Sequence, residues 1–435
     1  MPPARFFSGS IRSRIRIALA WLFAIALAGC ASDAHYPLNR PLTASPALLQ
    51  PAPQGAASPS PSDTLLLILA FSGGGTRAAA LSYGVLETLA GHEIAWEGRS
   101  RRLLDEVDLI SAVSGGSFTA AYYGLHGERM FGDFETAFLK RDVEAELKDE
   151  LLKASNLSRL TSPSFGRSDI LAEHYDRILF HGAMLADLWR NGSPRIVINA
   201  TRMTRGTPFA FTARQFEAIG SSPDSFSVAR AVAASSAVPV LFSPIMLRDY
   251  RDTSCQGLPP PQDAPPEQTS DDGCYIHLLD GGLHDNLGLN ILLERTNGKV
   301  DARRVLSEAG FPATRRIVII HVDATAPLDR RWERSANIPP PEAVLEAATS
   351  IPLLNTNRNT LRELRLRAEA WRAQGVDIHL IEVNLNHLPD PARRSRLLAL
   401  PTALTLPAEA VDDLRKAARD LLEAHPEFLR LTRAP

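Results

Sequence analysis

Five stretches of strand length are built on apolar runs, the first of them unbroken: 64–72 (TLLLILAFS), 107–113 (VDLISAV), 195–201 (RIVINAT), 315–325 (RRIVIIHVDAT) and 376–385 (VDIHLIEVNL). A strand with one wet face alternates apolar and polar residues, whereas a run without alternation must be covered on both faces. Segments with helical spacing lie between these runs, as in 78–90 and 117–126. Strands alternating with helices predict an α/β fold, a three-layer sandwich with a mostly parallel central sheet. No internal repeat is visible. At 435 residues, with 45% hydrophobic and 22% charged side chains, the chain can bury a large core and has no disordered composition. Its net charge of -2, without a basic stripe, excludes a nucleic-acid partner.

The N-terminus has a different character. Arg5, Arg12, Arg14 and Arg16 precede the apolar run IALAWLFAIALAG, which is too short to span a bilayer and has the pattern of an export signal. Leu27-Ala28-Gly29-Cys30 resembles the bacterial lipobox, in which the cysteine becomes the lipidated first residue. Residues 1–29 are therefore expected to be a lipoprotein signal peptide, with membrane attachment through Cys30. By the same resemblance, the absence of Asp at position 31 points to the outer membrane. Residues 30–63, rich in Pro, Ala and Ser, are expected to form an extended tether. With Cys30 lipidated, Cys255 and Cys274 remain, an even pair in an oxidising compartment, and a disulfide between them would close the proline-rich acidic loop they bracket. The catalytic body is expected over 64–335. Residues 336–435 form a mainly helical region with one strand, packed on the core. Its arginines, Arg358, Arg362, Arg365, Arg367 and Arg372, are expected on a solvated face.

Three motifs carry chemistry. In SGGGTR, 72–77, three glycines at the mouth of a helix leave backbone N–H groups to face an anion. In AVSGGS, 112–117, Ser114 sits between an apolar strand and a helix of small residues, where a sharp turn lifts a serine clear of the sheet. Gly116 fits the usual G-x-S-x-G elbow, while Ala112 replaces its first glycine. In LDGG, 279–282, Asp280 ends an apolar run at a sheet edge and leads into a tight turn.

Taken in order, SGGGTR, AVSGGS and LDGG resemble the signatures of the patatin-like phospholipase family, from about Thr64 to His321. The segment AVAASSAVPVLFSP, 231–244, is similar to that family's A-S-x-A-x-P stretch. The resemblance implies a lipid acyl hydrolase with a Ser-Asp dyad. Ser114 would be the nucleophile and Asp280 the base, needing no cofactor or metal. Gly73, Gly74, Gly75 and Arg77 would form or support the oxyanion hole, and Gly115, Gly116, Gly281 and Gly282 would support the elbow and turn. Its partner would be a phospholipid or other acyl-ester lipid. Four alternatives compete. A phosphate-binding loop at 72–77 lacks the G-K-[ST] ending. A metal-dependent hydrolase could draw on His277, Asp280, His284, Asp285, His321 and Asp323. A triad could run Ser114, Asp280, His321. Last, the fold could serve as a non-catalytic membrane-anchored binding module.

Overall fold

The computed structural model describes residues 34–42, 62–190, 194–251, 273–296, 301–328 and 330–432. Cys30, Cys255 and the export signal lie outside them.

The five apolar runs form one parallel set. They are β1 (Leu65–Phe71), β4 (Val107–Val113), β5 (Arg195–Arg202), β9 (Arg316–Asp323) and β10 (Asp377–Asn384). The eight-stranded sheet has the order β10-β9-β1-β4-β5-β8-β7, with β6 (Pro208–Phe211) also paired to β5. β6 and β8 (Tyr275–Asp280) run opposite to these five, and β7 (Ile245–Arg248) pairs antiparallel with β8. A separate hairpin joins β2 (Glu93–Trp96) to β3 (Arg99–Arg102).

The reason for the unbroken apolar pattern is visible in β1. Leu65, Leu67, Leu69 and Phe71 enter one core cluster, with α1 (Gly75–Ala90), α2 (Gly115–His126), α3 (Val228–Ser235) and, later in the chain, α5 (Ala408–Ala424). Leu66, Ile68 and Ala70 enter a second cluster on the other face, with Leu293, Val305 and the end of α4 (Pro341–Arg372). Successive side chains of a strand point to opposite faces, so a strand covered twice needs apolar residues at every position. The protein is thus a mostly parallel sheet between two helical layers. The C-terminal region belongs to it, because β10 pairs with β9 along eight residues.

Residues 34–42 depart from the expected tether. Tyr36 is buried, with its N–H donating to the Ser164 carbonyl at 2.9 Å. Asn39 is also buried. Its amide donates to Ser221 Oγ and to the Arg248 carbonyl, each at 2.8 Å, and accepts from the Arg248 N–H. An aromatic ring and an amide with fixed partners dock this segment on the body, which a composition of Pro, Ala and Ser does not announce.

Candidate active site

Three loops meet at the C-terminal ends of the parallel strands. Ser114 follows the last residue of β4 with φ 48° and ψ −120°, outside the ordinary regions for a residue with a Cβ. Such a conformation costs on the order of 1–3 kcal/mol and persists only where neighbours hold it. The Ser114 N–H donates to Ser235 Oγ at 2.8 Å, and its carbonyl accepts from the Ser117 N–H at 2.9 Å. The flanking glycines answer to space. A Cβ on Gly115 would lie 2.1 Å from the Gly75 carbonyl oxygen, and one on Gly116 would lie 2.7 Å from Phe71 Cβ. Ala112 pairs in register with Phe71 and Ile198 as regular strand, so the elbow tolerates its methyl group.

Asp280 reaches Ser114 through β5. Along one edge of β5, Asn199 pairs with Val113 and the next residue, Ala200, pairs with Asp280. Two strands running in opposite directions therefore end side by side. Ser114 Oγ donates to Asp280 Oδ2 at 3.0 Å. The other carboxylate oxygen, Oδ1, accepts from the Gly282 N–H at 2.8 Å. Burial pushes the Asp280 pKa from 3.8 up to about 6, against the opposing pull of the Gly282 N–H and the Ser114 hydroxyl. Contrary to the sequence expectation, Asp280 is not at a sheet edge: β8 lies between β5 and β7. Gly281 packs so closely on β5 that a Cβ would lie 2.3 Å from the Asn199 carbonyl oxygen.

One side chain ties both loops together, and sequence reasoning gave it no role. Ser235 Oγ accepts from Ser114 N–H and donates to the Asn199 carbonyl at 2.6 Å, while its own carbonyl accepts from the Gly281 N–H at 3.1 Å. Two residues on, the Ala237 carbonyl accepts from the Asp280 N–H at 3.0 Å. The A-S-x-A-x-P segment is thus a clamp across the nucleophile turn and the aspartate turn.

The glycine loop links β1 to α1. Gly74 and Gly75 have φ of 139° and 60°, which favour glycine. Gly73 lies against the elbow, since a Cβ there would come 3.3 Å from Ser114 Cβ. Its N–H, however, donates to the Asn286 carbonyl at 3.0 Å and is spent. The N–H groups of Gly74, Gly75 and Gly115 make no backbone hydrogen bond among the described residues. They head two helices whose dipoles favour negative charge. Arg77 requires a correction as an oxyanion-hole residue. Its guanidinium is buried and donates to the carbonyls of Ala324 and Leu400 and to Thr402 Oγ1. Thr76 N–H donates to Ala403 at 2.8 Å, so this pair binds the C-terminal loop over the start of α1.

The remaining candidates stand apart. Asp285 accepts from the N–H groups of Leu287 and Asn290, and Asp323 accepts from the Thr325 N–H and the Asn384 amide. His284 Nδ1 lies 2.9 Å from the Gly206 carbonyl. His277 is half-buried in β8, its carbonyl accepting from the Met203 N–H. Among the described residues, no three His, Cys, Asp or Glu side chains converge as metal ligands. His321 pairs with Ala70, which pairs with Ser111. Two strand spacings and three residues separate it from Ser114, roughly 14 Å. Its Nε2 faces Glu382 at 3.8 Å instead. Cys274 is disulfide-bonded, and its two candidate partners lie outside the described residues.

The family model of the patatin-like phospholipases matches residues 69–293. No curated protein matches the chain in sequence. Among solved structures, human GIVD cytosolic phospholipase A2 is 13% identical with a TM-score of 0.43, over 82% of this chain and 60% of that one. Its complex with methyl gamma-linolenyl fluorophosphonate gives 14% and 0.38, over 82% and 57%. VipD from Legionella pneumophila is 15% identical with a TM-score of 0.29, over 83% of this chain and 68% of that one. The chain thus spans about 60% of the length of the human enzyme.

Proposed function

Because the chain belongs to the patatin-like phospholipase family, a family of lipid acyl hydrolases, we propose that it cleaves carboxylic esters of phospholipids or related acyl lipids by a Ser-Asp dyad. Ser114 Oγ attacks the ester carbonyl and its proton passes to Asp280 Oδ2, the atom it already faces at 3.0 Å. The tetrahedral oxyanion then lies before the N–H groups of Gly74, Gly75 and Gly115. Each such donor is typically worth about 10²–10³ in rate. As the intermediate collapses, Asp280 returns the proton to the leaving alkoxide, and Ser114 keeps the acyl group. A water molecule deprotonated by Asp280 then attacks this acyl-enzyme, and Asp280 hands that proton to the departing Ser114 Oγ as the fatty acid is freed. A carboxyl with a pKa near 6 suits both halves of this cycle, since it gives and takes a proton near neutrality.

The observation that carries the reading is the direct Ser114–Asp280 hydrogen bond, with His321 facing Glu382 elsewhere in the sheet. The test is a comparison of turnover. Asp280→Asn should lower kcat by at least about 10³, and His321→Ala should retain most of the parent activity. In the parent, kcat/KM should fall as pH drops through about 6, where Asp280 takes up its proton. Loss of turnover in a folded His321→Ala protein would refute the dyad. Export by the signal and anchoring of Cys30 in the outer membrane complete the proposal.

A further inference from the structure

The 32-residue helix α4 is longer than the strands it connects. It spans about 48 Å, against roughly 27 Å for the eight residues of β9 or β10. Its C-terminal half fits the sheet: Leu364, Ala368 and Trp371 are buried in the second core cluster. Asn357 marks the limit, donating to Thr325 Oγ1 two residues beyond the end of β9. The preceding sixteen residues, 341–356, therefore project beyond the catalytic end of the sheet by roughly 24 Å.

This arm has two faces. At 100° per residue, Ala343, Val344, Leu345, Ala347, Ala348, Ile351 and Pro352 occupy one broad arc, interrupted by Asn355, and Glu346, Thr349 and Ser350 the other, with Leu353 among them. Val344, Leu345 and Ile351 are exposed at 55%, 48% and 46%, and Ile338, just before the helix, at 92%. Further apolar side chains flank the Ser114–Asp280 pair. Leu283 is exposed directly after the aspartate turn. Val240 and Leu241, at 68% and 60%, lie in the loop that follows Ala237, the acceptor for Asp280 N–H.

We propose that this catalytic edge is a bilayer-contact surface, with the arm lying in the lipid interface beside the dyad. The inference rests on the lipid-hydrolase reading, which requires Ser114 to reach an ester held in a lipid aggregate. The exposed apolar residues of the arm, Leu283, Val240 and Leu241 all lie in segments that leave the same end of the sheet as the dyad, which selects lipid over another occupant. No helix among the described residues is long and apolar enough to cross a membrane, so the arm lies in the interface and does not span. The arm itself, 341–356, carries two glutamates and no lysine or arginine, so charge gives it no attraction to lipid and apolar contact must supply the binding. A zwitterionic surface therefore suffices.

The test uses the chain from Ala31 onward, which keeps every described residue, and phosphatidylcholine vesicles. Replacing Val344, Leu345 and Ile351 with Asp should weaken vesicle co-flotation at least tenfold and lower vesicle hydrolysis in parallel. Hydrolysis of a short-chain water-soluble ester should stay at the parent level, because these exposed side chains support no core packing. Vesicle binding equal to the parent's would overturn the proposal, as would loss of a parent oligomer with vesicle binding unchanged. If vesicle binding falls in a chain that hydrolyses neither substrate, the contact surface stands and the hydrolase reading fails.

Discussion

Replacing Asp280 with Asn should stabilise the protein while it abolishes turnover. The buried carboxyl is held at a pKa of about 6 against 3.8 when exposed. That difference corresponds to about 3 kcal/mol of folding free energy spent at any pH above both values. The sign follows from the protons bound. Between pH 3.8 and 6 the unfolded chain has released this proton and the folded chain has kept it, so stability falls as pH rises. Asn keeps the shape and can still accept from the Gly282 N–H. It loses the stronger, charge-assisted form of that bond, which leaves a net gain of about 1–3 kcal/mol at pH 8. Urea denaturation at several pH values measures it, as a higher midpoint with an unchanged slope. The gain should halve by about pH 5, where the parent's penalty has itself fallen to about 1.6 kcal/mol. A variant no more stable than the parent at pH 8, or a difference that does not vary with pH, would refute a buried carboxylate at the base position.

Ser235→Ala should leave the Ser114 N–H and the Asn199 carbonyl unpaired. It should destabilise the fold by about 2–4 kcal/mol and lower kcat at least about tenfold with little change in KM, as read by urea midpoint and steady-state kinetics. Cys30→Ser should abolish incorporation of labelled palmitate in cells. Label retained in that variant would place the lipid elsewhere.

The parallel half of the fold was legible because a strand buried on both faces leaves a plain signature, which β1 carries in full, and because β4, β5, β9 and the edge strand β10 each hold an apolar run of strand length. The antiparallel half was not. YIHLLD at β8 has the half-buried His277 within it and does not advertise an interior strand. The glycine loop, Ser114 and Asp280 could be found as motifs, since each needs small neighbours at a turn. Their meeting could not, because it depends on consecutive residues of β5 receiving the ends of two strands that bring together side chains 166 positions apart, Ser114 and Asp280. Ser235 was hidden for the same reason: a serine in a helix of alanines shows its purpose only where Ser114 and Asn199 come to it. Arg77 misled because an arginine beside a glycine loop suggests an anion, while its acceptors are carbonyls about 250 and 320 residues further along the chain.

The central claim is that Ser114 is a nucleophile activated by Asp280. A serine-directed fluorophosphonate probe on the purified protein tests it most directly. The account predicts covalent labelling on the peptide containing Ser114, slowed strongly by Asp280→Asn and absent in Ser114→Ala. Labelling that persists unchanged in the Ser114→Ala protein would contradict it.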